Sequence, residues 1–219
     1  MIKFNAKSNL NPIPHISIKD AGKKFGSQWI FKNVNLEIPP AQKLVILGLN
    51  GSGKSTLLQS ISGFLSLNKG SIVLATNGAE IDQEISHQYF SVASPYLELI
   101  EDFTLKEMIE HVDIFKAYQS GLDTQNVLEL SGLNAHQDKY IRLFSSGMKQ
   151  RLKLTLAVLA QSPILLLDEP TTNLDATVIE WYKKMIHQYA MHKTIIVCSN
   201  SIPYEYEFCD KVITMEDYK

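Results

Sequence analysis

Residues 43–63 read KLVILGLNGSGKSTLLQSISG and give the clearest indication of the fold class. A short apolar run, Lys43–Leu47, leads into a glycine-rich turn, and a helical pattern begins directly after it. Similar apolar runs recur along the 219 residues and alternate with helical segments, which indicates a parallel α/β sheet with ligands beyond the carboxyl ends of its strands. Apolar periodicity predicts strands at 43–47, 72–74, 90–93, 164–167, 194–198 and 211–215, and helices at 54–62, 105–118, 124–130, 147–161 and 176–189.

The turn after the first of these strands has the spacing of a phosphate-binding loop. Residues 48–55 fit the pattern G-x-x-x-x-G-K-S, in which glycines let the backbone approach a polyphosphate. Lys54 would neutralise the β- and γ-phosphates, and Ser55 would supply an oxygen to Mg²⁺. An ordinary glycine-rich turn is the competing interpretation, but strand, loop and helix follow in the required order. The predicted nucleotide-binding residues here are Gly48, Asn50, Gly51, Ser52, Gly53, Lys54, Ser55 and Thr56.

A second segment, SPILLLDEPTTNLD at 162–175, supplies two carboxylates at the end of a predicted buried strand. Asp168 is suited to hold Mg²⁺ through its water shell, because this ion prefers oxygen ligands and keeps its waters. Glu169 would orient a water that attacks the γ-phosphate and accept its proton. Adjacent carboxylates can also be a solvated strand end or a helix cap. Beside the glycine-rich loop, the catalytic interpretation is favoured.

A third segment, LFSSGMKQRL at 143–152, begins a helix in an unusual way. A hydroxyl at Ser145 or Ser146 can cap the helix, but no Glu or Gln follows three residues later to complete a capping box. Lys149 and Arg151 instead place positive charge near the positive end of the helix dipole. An anion from another molecule would explain this arrangement, whereas the simpler alternative is a plain cap with a solvated basic first turn.

Taken in order, these motifs resemble those of the ATP-binding cassette (ABC) family over nearly the whole chain. GLNGSGKST resembles its phosphate loop, ILLLDEP its magnesium strand with the following glutamate, and FSSGMKQR its signature segment, which is usually Leu-Ser-Gly-Gly-Gln. The resemblance implies a P-loop NTPase-type α/β lobe with a mainly parallel core sheet, an N-terminal antiparallel β part and an inserted helical subdomain. The lobe would comprise residues 1–94 and 154–219, and the insert about 95–153.

The same resemblance assigns roles to residues outside these segments. Two cassettes of the family pack head to tail, so that Ser145 and Gly147 would face the γ-phosphate bound by the other subunit. TTNLD, which ends at Asp175, would contact that subunit as well. Phe25 matches the aromatic residue that stacks on adenine. Trp29 competes for this role, and a Phe buried in the strand core is a further alternative.

Two positions depart from the family pattern. A histidine that contacts the γ-phosphate usually follows the 194–198 strand, and Asn200 occupies this place. Asn can donate a hydrogen bond but cannot become cationic. A glutamine usually ends the strand at 90–93, where the best alignment gives Ser94, or alternatively Pro95. Ser94 could still touch a metal-bound water with a shorter reach. These departures put the rate of hydrolysis and its coupling in question, and not ATP binding.

Composition and the N-terminal sequence indicate the class of partner and the cellular compartment. The net charge of −2 argues against nucleic-acid binding, two cysteines suggest a reducing cytosol, and MIKFNAKSNL lacks the apolar core of a signal peptide. The leading hypothesis is an ATP-hydrolysing subunit of an ABC transporter that binds ATP and Mg²⁺. It would pair with a second ABC ATPase subunit, as a homodimer or a heterodimer, and dock transmembrane permease subunits on the cytoplasmic face of the cell membrane.

Two other functions stay open at this stage. A soluble ABC-class ATPase acting on DNA or ribosomes is one, although such relatives typically carry a long coiled coil or two cassettes in one chain. A module that binds ATP and dimerises but barely hydrolyses it is the other, and Asn200 and Ser94 keep it open. The residues that argue against that last possibility are Lys54, Ser55, Asp168 and Glu169.

Overall fold

The computed structural model describes residues 12–219, so the N-terminal segment considered for a signal peptide lies outside the described range. Within that range, no helix has the length and apolar character needed to cross a bilayer. The strands are β1 (His15–Phe25), β2 (Gln28–Ile38), β3 (Lys43–Leu47), β4 (Lys69–Thr76), β5 (Ala79–Glu80), β6 (Phe90–Ala93), β7 (Ile164–Asp168), β8 (Thr194–Ser199) and β9 (Lys211–Thr214). The helices are α1 (Lys54–Ile61), α2 (Leu105–Phe115), α3 (Thr124–Ser131), α4 (Ser146–Leu159) and α5 (Ala176–Tyr189).

Five parallel strands form the central sheet in the order β6-β7-β8-β3-β9. β7 and β8 are buried over their whole length, which is why their sequences are almost continuously apolar. The register pairs Leu47 with Ser199 and Asp168 with Cys198. The carboxyl ends of these strands therefore meet at one edge, and the residues that follow them share that edge.

A second, antiparallel sheet has the order β2-β1-β4-β5 and confirms the N-terminal β part that the resemblance implies. Apolar runs indicated only 72–74 within it. The two long strands β1 and β2 lack such runs because charged residues interrupt them. At Asp20 the backbone is left-handed, with φ of 48°, and the register of β1 shifts nearby.

The central sheet separates two apolar cores, and alternate residues of one strand serve each of them. Leu165 and Leu167 of β7 pack with the helices α2 to α5. Ile164 and Leu166 of the same strand pack with α1 and the antiparallel sheet. The phosphate-loop helix and the helical region are thus fixed to opposite faces of one sheet.

Helices and turns fill residues 95–153, all of which are described, and no named strand lies among them. Capping boxes at Thr104 and Asp123 begin α2 and α3. α2 ends at Phe115, three residues before the predicted end, since the backbone is already extended at Lys116, and Tyr118 forms an isolated bridge with Ala160. α4 runs without a break through the boundary placed at 153/154. The division into lobe and insert stays a prediction.

Candidate functional site

The loop from Gly48 to Ser55 joins β3 to α1 at the carboxyl edge of the central sheet. Gly48, Gly51 and Gly53 all have positive φ. A Cβ at Gly48 would lie 2.5 Å from the Ser52 Oγ, so a larger residue would disturb the turn. α1 begins with no side-chain cap, and the amides of its first turn remain available for an anion.

Lys54 is 4% exposed, and its ammonium is held inside this loop. Nζ donates to the carbonyls of Gly48 at 2.9 Å and Leu49 at 3.2 Å. It also donates to Oδ1 of Asn200 at 2.7 Å and lies 3.9 Å from Oε1 of Glu169. The buried Lys54 ammonium therefore lies beside the uncapped amides of the helix start, and the surrounding acceptors fix the orientation of its side chain.

The remaining predicted loop residues differ in accessibility. Asn50 is exposed, whereas Thr56, on α1, is partly exposed. Ser52 is buried, and its Oγ has no hydrogen-bond partner among residues 12–219. The carbonyl of Ser52 accepts a hydrogen bond from Lys219 Nζ at 2.9 Å.

The Asp168 carboxylate ends β7 and lies across from the start of α1. Its Oδ1 accepts from the Ser55 hydroxyl at 3.0 Å, and its Oδ2 accepts from the Ser94 hydroxyl at 3.3 Å. Burial raises the pKa of Asp168 above its ordinary value, and the nearby charge of Glu169 acts in the same direction. The structure thus brings together all three predicted metal residues, as a cluster of oxygen donors.

Glu169 follows Asp168 in a strained backbone conformation, with φ of 46°. Its amide donates to the carbonyl of Cys198 at 2.9 Å, which fixes this turn to β8. Left-handed backbone at a residue other than glycine costs roughly 1–3 kcal/mol and concentrates at functional sites. Here it separates the two adjacent carboxylates, so that Asp168 meets Ser55 while Glu169 meets Asn200.

Asn200 joins the cation to the second carboxylate. Its Nδ2 donates to Oε1 of Glu169 at 2.9 Å, while its Oδ1 accepts from Lys54. This amide orientation satisfies both neighbours, since a carboxylate can only accept and an ammonium can only donate. The resemblance placed Asn200 only at the position of the family's γ-phosphate histidine, and the structure adds the contacts with Lys54 and Glu169.

Sequence reasoning did not identify Glu205, which is fully buried in the short helical turn after β8. Its carboxylate accepts from the Thr171 amide at 3.1 Å, the Thr171 hydroxyl at 2.6 Å and the Ser199 hydroxyl. Burial raises the pKa of Glu205. Glu205 therefore ties the loop after Glu169 to the end of β8, and no local pattern in the sequence signals this contact.

Ser145 caps α4 as predicted, and its Oγ accepts from the Met148 amide at 3.2 Å. Helix geometry leaves the amides of Ser146 and Gly147 without an acceptor in a preceding turn. A Cβ at Gly147 would lie 2.9 Å from the Asn173 carbonyl oxygen, so this helix start is packed on the loop after β7. Within residues 12–219, no hydrogen bond joins Ser145 or Gly147 to the phosphate loop.

Phe25 ends β1 with 54% of its surface exposed, which rules out the alternative of a strand-core residue. The Lys23 ammonium lies 5.3 Å from the centroid of its ring. Trp29 is 36% exposed and contacts the backbone at Gly22 closely, since a Cβ there would lie 2.9 Å from its ring. Phe25 has the more accessible ring, and its role in stacking stays a prediction.

Phe25→Ala should weaken ATP binding by about tenfold, because an aromatic ring stacked on a base contributes ~1–3 kcal/mol. Trp29→Ala should have a smaller effect. Binding of inorganic tripolyphosphate, which has no base, is the control and should not change with either variant. Equal ATP affinities of the parent and Phe25→Ala, measured by calorimetry, would contradict the assignment of Phe25.

Known proteins are similar to this chain over most of its length. A family profile described as ABC transporter matches residues 31–172. The Campylobacter jejuni protein PEB1C, a probable ABC transporter ATP-binding protein, is 28% identical over 92% of this chain and 87% of its own length. YdbJ of Bacillus subtilis, an uncharacterized ABC transporter ATP-binding protein, is 31% identical over 94% of this chain and 67% of its own length.

Solved structures agree on the fold. The ATP-binding subunit of an ABC transporter superposes with a TM-score of 0.76 at 25% identity, covering 91% of this chain and 85% of that chain. The cassette MJ0796, solved as a dimer bound to ADP and Pi, gives the same TM-score at 24% identity, covering 91% of this chain and 93% of that one. The chain belongs to the ABC transporter family. It is an ATP-binding, transport-associated ATPase of that family.

Proposed function

We propose that this chain binds MgATP at the carboxyl edge of its central sheet and hydrolyses it to drive transport through separate membrane subunits. One observation carries the proposal: the Lys54 ammonium, the Glu169 carboxylate and the Asn200 amide converge beside an uncapped helix start. Purified protein should release phosphate from ATP only with Mg²⁺ present. Release that equals the buffer blank, or that is unchanged by EDTA, would contradict the proposal.

The donor set at Asp168 suits Mg²⁺. Two hydroxyls and a carboxylate offer hard oxygen atoms, and the carboxylate already bonds both hydroxyls. No group of three or more His, Cys, Asp or Glu side chains within 12–219 could hold a metal. This arrangement agrees with an ion that keeps several waters and is bound by one or two carboxylates together with substrate phosphates. When bound, Mg²⁺ would neutralise charge on the phosphates.

Each residue of the site then has a separate role in hydrolysis. Lys54 contacts the phosphates, and Ser55 and Asp168 hold the metal, with Ser94 beside them. Glu169 orients the attacking water and accepts its proton. Asn200 holds Glu169 at a fixed distance from Lys54, so that base and cation keep their relative positions. The other loop residues predicted from the sequence bind phosphate through the backbone and the uncapped helix start.

A second cassette, identical or related, would complete the site. Ser145 and Gly147 begin a helix whose first amides are open, and they make no hydrogen bond to the phosphate loop within residues 12–219 of their own chain. This agrees with a role toward nucleotide held by another subunit. MJ0796, a bacterial ABC transporter cassette, has been solved as a dimer.

Docking of a permease is supported by a groove of about 870 Å³ between the end of α1 and α2. Phe64, Tyr96 and Leu97 line it and are exposed, while Met108 lines its α2 side and Asp168 lies within it. Exposed apolar surface of this kind marks interaction sites. A membrane subunit bound in this groove would place this chain on the cytoplasmic face of the membrane. The same subunit would lie close to Asp168.

Asn200→His should raise turnover by about tenfold, which needs only ~1.4 kcal/mol of additional transition-state stabilisation. A neutral imidazole has one donor and one acceptor, so it can replace both contacts of the amide, and it can also become cationic. Asn200→Ala, which removes both contacts, should lower turnover while ATP affinity stays unchanged. Steady-state phosphate release and ATP binding are measured separately on all three proteins.

The same experiment separates a slow ATPase from a module that dimerises on ATP but barely hydrolyses it. Asn200 and Ser94 favour slow hydrolysis by the isolated protein. If Ser94 also limits metal positioning, Ser94→Gln will be needed beside Asn200→His. Fast hydrolysis by the parent that neither substitution raises would contradict the role given to Asn200.

A further inference from the structure

Lys153 is a lysine buried within an apolar stretch of α4. Leu152 and Leu154 on either side are fully buried, and Lys153 itself is only 9% exposed. Its Nζ donates to the Pro95 carbonyl at 2.8 Å and to the Ser94 carbonyl at 3.3 Å. Burying an ammonium is costly unless it is hydrogen-bonded, so these two carbonyls determine where the side chain lies.

Both carbonyls belong to the segment that carries Ser94 past the end of β6. The Ser94 hydroxyl donates to Asp168 at 3.3 Å and accepts from the Tyr96 amide at 3.3 Å. Lys153 thus holds the carbonyls of two consecutive peptides, Ser94–Pro95 and Pro95–Tyr96, and this backbone determines the direction of the Ser94 hydroxyl. A series of contacts therefore links Lys153 on α4 to Ser94, and Ser94 to the carboxylate of Asp168.

α4 also begins at the residues proposed to meet the second cassette. Ser145 and Lys153 are eight residues apart, so about 12 Å of continuous helix separates them. Lys153, Ser94 and Asp168 all line the groove described above. One helix therefore connects the proposed cassette contact to the groove, and Lys153 on this helix contacts Ser94, whose hydroxyl donates to Asp168.

We propose that Lys153 is a positioning residue for the ATPase reaction, which acts through Ser94 to hold Asp168 in the geometry that binds metal. The proposal rests on the metal role given to Asp168 under the proposed function. The hydrogen bonds of the Lys153 ammonium go to backbone carbonyls, and within residues 12–219 none goes to Asp168. Removal of the Lys153 ammonium should lower the affinity of the nucleotide site for Mg²⁺. The affinity of the phosphate loop for metal-free ATP should not change.

The test compares Lys153→Met, which keeps the side-chain length but lacks the ammonium, with Lys153→Arg, which keeps a donor and the charge. Loss of an outer partner of a metal ligand typically costs about 10- to 100-fold in metal affinity or activity. We therefore expect Lys153→Met to raise the half-saturating Mg²⁺ concentration about tenfold and Lys153→Arg to restore much of the loss. The first readout is Mg²⁺-dependent binding of a trinitrophenyl derivative of ATP, and the second is phosphate release.

Lys106→Met is the matched control, because Lys106 is an exposed lysine of α2 that pairs with Glu110 across one helical turn. It should change neither readout. Lys153→Met combined with Ser94→Ala should cost no more than the larger single effect, since residues that act through one another are not additive. Thermal unfolding is recorded for every variant, and Lys153→Gln replaces Lys153→Met if the latter does not fold.

The outcomes separate this proposal from the one on which it rests. A folded Lys153→Met protein with unchanged Mg²⁺ dependence would overturn the positioning role alone. The positioning role is likewise overturned if metal-free binding weakens as much as Mg²⁺-dependent binding, or if the effects of the two substitutions add fully. A parent protein that binds no nucleotide at all would overturn the proposed function, and the role of Lys153 with it.

Discussion

Lys54→Ala should weaken ATP binding at least about a hundredfold, or ~2.8 kcal/mol, and should reduce hydrolysis to the level of the buffer blank. Lys54 is a buried ammonium already directed into the phosphate loop by two backbone carbonyls. Hydrogen bonds to charged groups contribute about 1.5–3 kcal/mol each, and contacts with two phosphates would both be lost. Calorimetry with MgATP measures the affinity.

The control for this prediction must separate binding from folding, because Lys54 also holds Asn200 and the loop. Lys54→Met, which fills nearly the same space, should lose ATP as Lys54→Ala does while unfolding at a similar temperature. Lys184→Ala removes an exposed lysine of α5 and should change nothing. If Lys54→Met binds MgATP as tightly as the parent, the loop does not hold the phosphates.

The central sheet could be predicted from the sequence because each of its strands is a local signal. A strand buried on both faces is an uninterrupted apolar run, as in β7, and a loop with three glycines at fixed spacing follows β3. The antiparallel strands β1 and β2 could not be found by the same signal, because charged residues interrupt them. β1 pairs with β2 through a short hairpin, whereas its pairing with β4 joins segments that are distant in sequence.

The site was predictable where one residue type is needed at one spacing, and less so where residues distant in sequence meet. Lys54, Asp168 and Glu169 stand in motifs, so their positions follow from the chain itself. The bridge that Asn200 makes between Lys54 and Glu169 joins residues from three loops.

Lys153 is a charged residue inside an apolar helical stretch, and this pattern indicates a buried group. The pattern does not indicate which groups Lys153 contacts. Glu205 lies in no such pattern, since a glutamate between Tyr204 and Tyr206, two residues before the exposed Glu207, gives no sign of burial in the sequence. In both cases the contacts, and not the local sequence, define the role.

Ser94 and Asn200 show how the two departures from the family pattern are accommodated in this chain. The Ser94 hydroxyl donates to Asp168, and the buried Lys153 ammonium donates to the Ser94 carbonyl. Asn200 offers no cation, but it connects Lys54 to the carboxylate of Glu169. Glu169 is thus held by a neutral amide beside the Lys54 ammonium. Because the amide cannot become cationic, we expect slow turnover together with ordinary ATP binding.

Glu169→Gln should retain ATP binding, lose about 10²- to 10⁴-fold in turnover, and accumulate an ATP-dependent dimer. The amide oxygen of Gln can still accept the hydrogen bond from Asn200, so the local packing is kept, whereas the group that accepts the proton of the attacking water is lost. Nucleotide that is not hydrolysed would keep Ser145 and Gly147 of one subunit against the phosphates of the other. Analytical ultracentrifugation with and without MgATP measures the association.

Two comparisons make this last prediction decisive. Glu80→Gln makes the same chemical change at an exposed strand residue and should behave like the parent in both assays. Glu169→Gln combined with Ser145→Ala should bind ATP but dimerise less, because the cap of α4 and its proposed contact are removed together while the phosphate loop is untouched. Dimerisation that is equally strong with Ser145→Ala would contradict the role of this helix start. A Glu169→Gln protein that stays monomeric at every concentration would show that this chain does not pair with itself, and a related subunit would then have to supply the second half of the site.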